Sequence, residues 1–278
     1  MVRVLSHIGG ADQLGLPADL ATQVEVVALS PRRPVPDDLT GDVLVSHAGA
    51  SASVAELLDR GVRWVHYIGT GIDGFPLDRL GPGCVLTNSR GVSGVPIAEW
   101  VLACMLAVEK ELPETWVGAP VHDRRDLYAQ PLGTLQGATL ALIGLGGIGT
   151  EIATRARAFA MDVRALRRRP EPSPVPGVEV VSDRFELVEG ADHVVVVAPL
   201  TDATRGIVDR ALFEAMTPGV HLVNVARGPL VVSDDLRAAL DDGIVACASL
   251  DVTDPEPLPD GHWMFEHPKV RLLSLIHI

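Results

Sequence analysis

Short runs of β-branched and aliphatic residues alternate with amphipathic stretches along most of the chain. This pattern predicts parallel strands joined by helices, because a strand covered on both faces is continuously apolar whereas a covering helix has one apolar stripe. The predicted strands are Val2–Leu5, Val24–Leu29, Val43–Ser46, Trp64–Ile68, Ala138–Ile143, Val163–Leu166, Val178–Val181, Val194–Val197, Leu222–Val225 and Val245–Leu250. The predicted helices are Ser53–Asp59, Pro96–Leu112, Thr150–Ala160, Arg184–Glu189, Asp209–Met216 and Ser233–Asp241.

The long helical segment Pro96–Leu112 divides these elements into two groups. The first group has short strands separated by polar or proline-rich turns, which is typical of a small parallel α/β domain. The second group is typical of a doubly wound sheet, which binds nucleotides at the carboxyl ends of its strands. We therefore predict an α/β protein built from two units.

A glycine-rich turn opens the second group. The segment Ala138–Gly149 reads ATLALIGLGGIG, so Gly144, Gly146 and Gly149 have the G-x-G-x-x-G spacing between a strand and a helix. In such a turn the first glycine permits the sharp bend, the second admits a pyrophosphate, and the third lets helix and strand pack closely. We expect Gly147 and Ile148 to bind the dinucleotide as well, since helix N-terminal N–H groups attract phosphates.

The strand that follows the glycine turn ends in basic residues. An acidic residue at this place accepts hydrogen bonds from the ribose of NAD, whereas arginine can bind the 2′-phosphate of NADP. Here Arg167, Arg168 and Arg169 follow Leu166. The sequence therefore favours NADP(H) and leaves NAD possible, because guanidinium pairs bidentately with phosphate. The alternative is a solvated arginine cluster at the edge of a loop.

Composition narrows the possible partners. The net charge of −13 argues against nucleic acid and anionic membranes as partners. The three cysteines, Cys84, Cys104 and Cys247, are far apart, so neither a disulfide framework nor a metal site is predicted. A cytoplasmic location is expected, and Met1–Leu5 is interpreted as an opening strand rather than a signal peptide.

Three further motifs carry a family resemblance. They are Val194–Thr201 (VVVVAPLT), Leu222–Gly228 (LVNVARG) and Asp251–Pro257 (DVTDPEP). Together with the glycine turn, the set resembles the D-isomer-specific 2-hydroxyacid dehydrogenases, including glyoxylate/hydroxypyruvate reductases. The resemblance implies two doubly wound, Rossmann-like parallel-sheet domains with an interdomain cleft. It assigns residues 1–94 to a flavodoxin-like substrate domain, 95–269 to the NAD(P)-binding domain, and 270–278 to a segment returning to the first domain.

The resemblance also implies roles for particular residues. Arg227 would bind the carboxylate and carbonyl of a 2-oxo acid, and Glu256 would pair with the catalytic histidine. The cofactor would contact Pro199, Thr204, Ala226 and Asp251. In the first domain, Gly69, Thr70 and Gly71 resemble a loop whose N–H groups bind the substrate carboxylate. The stretch His47–Ser51 either lines the substrate pocket or is a plain loop after a strand.

The chain departs from the family at its last residues. Aligned without gaps, Ser274 occupies the proline position and Leu275 the position of the catalytic histidine, with His277 two residues beyond. We interpret this as an incomplete or altered terminus, in which His277 is the candidate substitute for the catalytic histidine. The expected function is NADP(H)-preferring hydride transfer between nicotinamide and a small 2-oxo or D-2-hydroxy acid, in a homodimer. The alternatives are a nucleotide-binding regulatory protein and a truncated enzyme.

Overall fold

The computed structural model describes residues 1–31, 33–47, 51–112, 131–168 and 171–273. The chain forms two compact units, Met1–Val92 and Ser93–Ile278, so the division falls after Val92 rather than after residue 94. Each unit contains one parallel sheet, of five strands in the first and seven in the second. The predicted α/β class with two parallel sheets is therefore confirmed. Every helix in the described ranges is too short or too polar to cross a membrane.

The described residues of the first unit form five strands and three α-helices. The strands are β1 (Val2–Ser6), β2 (Val24–Ala28), β3 (Val43–Ser46), β4 (Trp64–Tyr67) and β5 (Val85–Asn88), and the helices are α1 (Ala11–Leu14), α2 (Ala18–Ala21) and α3 (Ser51–Asp59). The sheet order is β2-β1-β3-β4-β5 with parallel pairing throughout, which is the order of flavodoxin-like sheets.

The core of the first unit lies on one face of its sheet. Leu44 and Val65 are paired across β3 and β4 and are fully buried, together with Val54 and Leu57 of α3. On the opposite face Trp64 is 46% exposed, because successive side chains of a strand point to opposite sides. This sheet is therefore packed more fully on the α3 side.

The second unit contains the remaining elements. Its helices are α4 (Gly94–Glu109), α5 (Gly147–Ala158), α6 (Arg184–Val188), α7 (Arg210–Glu214) and α8 (Ser233–Asp241). Its strands are β6 (Thr139–Ile143), β7 (Asp162–Leu166), β8 (Val178–Val181), β9 (His193–Val196), β10 (Val220–Asn224), β11 (Val245–Leu250) and β12 (Val270–Leu272). The parallel order β12-β11-β10-β9-β6-β7-β8 reverses direction between β6 and β9. That reversal is the switch point at which doubly wound sheets bind ligands.

Both faces of the second sheet are buried. Along β6, Leu140 and Leu142 pack into one hydrophobic cluster, whereas Ala141 and Ile143 pack into the cluster on the other face. All four side chains are at most 1% exposed. Double burial of this kind explains why the central strands β6, β9 and β10 are rich in apolar residues, whereas β7, β8 and β12 carry charged side chains.

Two expectations about this unit need correction. Helix α5 begins at Gly147 instead of Thr150, because the last glycines of the turn already have helical conformation and Gly146 is the N-cap. Residues 270–272 were assigned to a segment returning to the first domain. They form β12 instead, paired in parallel with β11, because Val270 and Leu272 pack against the hydrophobic cluster of the second unit.

Two buried histidines connect neighbouring strands of this sheet. Nδ1 of His193 lies 3.2 Å from Nδ1 of His221, whose Nε2 lies 2.9 Å from Oγ of Ser249. His193 Nε2 is 3.3 Å from Glu109 Oε1 without forming a hydrogen bond to any described residue. Burial lowers the pKa of His193 to about 4, and burial followed by the neighbouring His193 lowers the pKa of His221 well below its usual value. Both rings are therefore neutral near pH 7.

This pair predicts that stability falls on acidification. In the unfolded chain a histidine has a pKa of about 6.5, which is above the value in the folded protein. The neutral histidines therefore contribute fully to the free energy of unfolding above about pH 6.5, and this contribution is lost as the pH falls toward 4. One such proton changes the free energy of unfolding by up to about 1.4 kcal/mol per pH unit. Urea unfolding between pH 7.5 and pH 5 should show this slope, and His193→Asn should reduce it. If the free energy of unfolding had the same pH dependence in both proteins, the assignment of this effect to His193 would be wrong.

Candidate functional site

The carboxyl edge of the second sheet collects most of the residues singled out in that unit. Neighbouring parallel strands end at the same edge, about 4.8 Å apart. Taken in sheet order from β11 to β7, the residues that follow the five strands are Asp251, Arg227, Pro199, Gly144 and Arg167. Residues far apart in sequence thus form one row across the switch point.

Two glycines of the turn are required by the packing of the protein itself. Gly144 has φ +115°, and a Cβ there would lie 2.9 Å from the backbone nitrogen of Ala198. A Cβ on Gly149 would lie 2.4 Å from the carbonyl oxygen of Gly144. The turn after β6 therefore packs directly on the chain leaving β9, and helix α5 packs directly on the turn.

Gly146 and Gly147 differ from these two glycines. Both are exposed, and a Cβ on either would lie more than 4 Å from every other described residue, apart from its chain neighbours and the backbone of its own helix. Gly146 is the N-cap of α5, and its helix start has no side-chain cap. The first N–H groups of α5 therefore have open space before them. Ile148 points the other way, since it packs against the buried cluster beneath the sheet.

A cavity of about 470 Å³ lies beyond the ends of β7 and β8, lined in part by Leu166, Phe185 and Arg205. Arg167, the next residue after Leu166, is half-buried. Its Nη2 lies 3.0 Å from Oε2 of Glu171, and its Nη1 donates to the carbonyl oxygen of Pro172 at 3.2 Å. Arg168 is exposed, and Arg169 lies outside the described residues.

The loop after β9 is closed by its own hydrogen bonds. Oγ1 of Thr204 donates to the carbonyl oxygen of Pro199 at 2.7 Å and accepts from the N–H of Thr201 at 2.8 Å. Pro199 is exposed and Thr204 is half-buried. The Thr204 hydroxyl thus holds the loop in shape.

Arg227 stands on a tightly fixed turn after β10. The side chain of Asn224, 1% exposed, accepts from the N–H of Ala226 and donates to the carbonyl oxygen of Arg227, each at 3.0 Å. A Cβ on Gly228 would lie 1.9 Å from the carbonyl oxygen of Thr253. The backbone of the half-buried Arg227 is therefore fixed on both sides. Asn224 holds it by hydrogen bonds, and Gly228, the next residue, packs against the carbonyl oxygen of Thr253.

Asp251 and Glu256 occupy the segment that follows β11. The N–H of Asp251 donates to the carbonyl oxygen of Asn224 at 3.0 Å, which ties this segment to the Arg227 turn. Glu256 is exposed, and no hydrogen bond or ion pair joins its carboxylate to another described residue. Ser274, Leu275 and His277 lie outside those residues, so the expected histidine–glutamate pair stays a prediction.

The substrate loop expected in the first unit follows β4. Asn88 donates from Nδ2 to the carbonyl oxygen of Thr70 at 2.8 Å, which anchors the loop between Gly69 and Gly71. Thr70 is exposed and the two glycines are half-buried. The backbone of this loop is therefore accessible from solvent.

A polar cluster that no sequence motif predicts lies at the same edge of the first sheet. His7 is 5% exposed, and its ring nitrogens lie 2.9 Å from Oγ of Ser46 and 3.1 Å from Oγ of Ser53. His47 meets His7 edge to face at 6.5 Å between ring centroids, whereas residues 48–50 are outside the described part. Ser6 and His7, at the end of β1, are two adjacent polar residues that match no sequence motif. For that reason the sequence alone does not indicate this cluster.

Residues 102–276 match the model of the D-isomer specific 2-hydroxyacid dehydrogenase NAD-binding domain. The chain belongs to this family. The resemblance stated from the sequence motifs is thereby confirmed. The matched range contains the glycine turn and every residue of the row across the second sheet.

The similarity to known proteins supports membership of this family. The chain is 32% identical to a hydroxypyruvate reductase of Thermotoga maritima, with 79% of the chain and 71% of the relative covered. It is 33% identical to the D-3-phosphoglycerate dehydrogenase of Bacillus subtilis over 73% of the chain and 38% of the relative. The holo structure of Rhodotorula graminis D-mandelate dehydrogenase superposes with a TM-score of 0.80 at 26% identity, covering 98% of the chain and 87% of that protein.

The chain is shorter than several curated relatives. It spans 38% of the Bacillus subtilis enzyme and 60% of an uncharacterised protein of Corynebacterium melassecola. Family membership therefore rests on the NAD-binding domain.

Within the described residues no group of three or more histidine, cysteine or acidic side chains could hold a metal ion.

The glycine turn yields a paired prediction. Gly149→Ala should lower the free energy of unfolding by about 1–3 kcal/mol, because the new Cβ meets the Gly144 carbonyl. Gly146→Ala should change it by no more than about 0.5 kcal/mol, since its Cβ faces open space. The affinity for a nicotinamide dinucleotide, measured by calorimetry with NADPH and NADH, should nevertheless weaken on the order of tenfold in Gly146→Ala. Unchanged affinity in that variant would show that no phosphate approaches Gly146.

Proposed function

We propose that the protein is an NADPH-preferring oxidoreductase that interconverts small 2-oxo acids and D-2-hydroxy acids. The observation that carries this proposal is the row formed by Asp251, Arg227, Pro199, Gly144 and Arg167 along one edge of a doubly wound sheet. A dinucleotide crosses such an edge at the switch point.

The residues of the glycine turn suit a dinucleotide. Gly144 and Gly149 are accounted for by protein packing, whereas the exposed Gly146 and Gly147 leave room beside the N–H groups of α5. That arrangement fits a pyrophosphate. Arg167 and Arg168, beyond the end of β7, would then meet the adenosine ribose and its 2′-phosphate. NADPH is the proposed cofactor, and NADH is proposed to bind more weakly.

Bound NADPH would supply the hydride, and the protein would hold the substrate and stabilise charge. Arg227 would bind the 2-oxo acid and place a positive charge beside its carbonyl oxygen, where negative charge develops. Asp251 and Ala226 would contact the cofactor beside it. From the family resemblance, Gly69, Thr70 and Gly71 would bind the substrate carboxylate, and Glu256 with a histidine would move the proton. A homodimer and a cytoplasmic location stay predictions.

The cofactor assignment is tested at Arg167. Arg167→Asp should lower the ratio of kcat/KM for NADPH to kcat/KM for NADH on the order of tenfold to a hundredfold, because a charge-assisted bond is replaced by repulsion. Initial rates with glyoxylate or hydroxypyruvate give both values in one preparation. An unchanged ratio would overturn the assignment. Tight NADPH binding without turnover of any 2-oxo acid would favour a nucleotide-binding protein instead.

The substrate assignment is tested at Arg227. Arg227→Gln should lower kcat/KM for the 2-oxo acid by about 10²–10³-fold, because the developing oxyanion loses its cation. The dissociation constant for NADPH should change little. Arg210→Gln, which removes an exposed arginine of the same unit, is the matched control. Equal losses in both variants would contradict a specific role for Arg227.

A further inference from the structure

The guanidinium of Arg167 is already engaged within the protein. Nη2 lies 3.0 Å from Oε2 of Glu171, four residues further along the chain, and Nη1 donates to the carbonyl oxygen of Pro172. The Arg167 side chain is 26% exposed and that of Glu171 is 55% exposed. A carboxylate therefore lies beside the half-buried arginine that the sequence predicts to bind the 2′-phosphate.

This carboxylate changes the chemistry at the end of β7. The strand itself ends without an acidic residue, since Leu166 is followed directly by arginines. Glu171 restores an acidic group there by reaching back to Arg167. The site thus combines a cation that suits a 2′-phosphate with an anion that suits a ribose hydroxyl.

We propose that Glu171 is a specificity-determining residue that reduces the preference for NADPH over NADH. The inference rests on the proposed function, because it requires the adenosine ribose to lie beside Arg167. The 2′-phosphate of NADPH would meet the negative charge of Glu171 and compete with it for Nη2. The 2′-hydroxyl of NADH is uncharged and can donate a hydrogen bond to the same carboxylate.

The repulsion of the 2′-phosphate and the hydrogen bond from the 2′-hydroxyl both reduce the preference for NADPH. Replacing Glu171 by glutamine removes the negative charge but keeps the shape and an oxygen acceptor. Arg167 then becomes more available to phosphate, and the hydrogen bond from the NADH hydroxyl becomes weaker because its acceptor is neutral. Since the pair is partly solvated, the expected effect is moderate.

The test compares Glu171→Gln with the unchanged chain, using two fragments as probes of the adenosine end. Calorimetry gives the dissociation constants of 2′,5′-ADP and 5′-AMP, which differ in the 2′-phosphate. The ratio of the two constants should shift toward 2′,5′-ADP by about fivefold in Glu171→Gln, which corresponds to an exposed ion pair of up to about 1 kcal/mol. The kcat/KM ratio for NADPH and NADH should shift equally, and both shifts should shrink in 0.5 M KCl.

Glu56→Gln is the matched control. Glu56 pairs with Arg60 at the same spacing of four residues, and Arg60 also donates to a proline carbonyl, that of Pro36. The substitution therefore makes the same charge change in an equivalent arrangement of the first unit. Neither cofactor ratio should move in this control.

The outcomes separate the two proposals. If Arg167→Asp lowers the NADPH preference while Glu171→Gln leaves both ratios unchanged, the role of Glu171 is wrong and the proposed function stands. If Arg167→Asp has no effect, the NADPH assignment fails, and the role of Glu171 fails with it. A shift toward 5′-AMP in Glu171→Gln would show that the carboxylate positions Arg167 for phosphate, which also overturns the inference.

Discussion

The second unit depends on the close contact between the glycine turn and the chain that leaves β9. Gly144 approaches the backbone of Ala198, and Gly149 approaches the carbonyl of Gly144, so strand, turn and helix meet without intervening side chains. The contact lies where the order of the sheet reverses. Because the surrounding strands are buried on both faces, the turn has little freedom to move, and α5 is held with its N-terminus at the carboxyl edge of the sheet.

The parallel order of the strands then determines what the edge can do. Each crossover returns the chain to the opposite edge, so every strand delivers the residues after it to the same place. The fixed turn supplies backbone N–H groups at the middle of the row, Arg167 stands on one side, and Arg227 on the other. Arg227 and Arg167 therefore flank a neutral centre, with Asp251 next in the row to Arg227 and Glu171 paired with Arg167, in a chain whose net charge is −13. The proposed binding of an anionic dinucleotide at this edge rests on the local placement of these groups rather than on the overall charge.

Elements of the second unit could be predicted well because their burial leaves a strong record in the sequence. Clusters of β-branched and aliphatic residues predicted β8 and β11 with the bounds seen in the structure, although β8 contains Glu179 and β11 contains Ser249. In the first unit β5 was missed, since half of its four residues are polar, and α1 and α2 are too short to show a helical period. The first turn of α5 was missed because glycine is usually a signal that a helix has not begun. The glycine spacing suggested Gly144, and the family resemblance suggested Arg227. The pairing of Arg167 with Glu171 depends on a proline-rich loop whose path no periodicity describes.

The close approach of Gly228 to Thr253 has a consequence for how variation in this protein is interpreted. Any side chain at position 228 would push the segment after β11 away from the segment after β10. A survey of tolerated substitutions would therefore rank Gly228 beside Arg227, although Gly228 has no side chain to offer a reactant. Intolerance of substitutions in the turn that contains Arg227 and Gly228 is evidence of steric exclusion as much as of a chemical role. The two causes can be distinguished only when folding and turnover are measured independently.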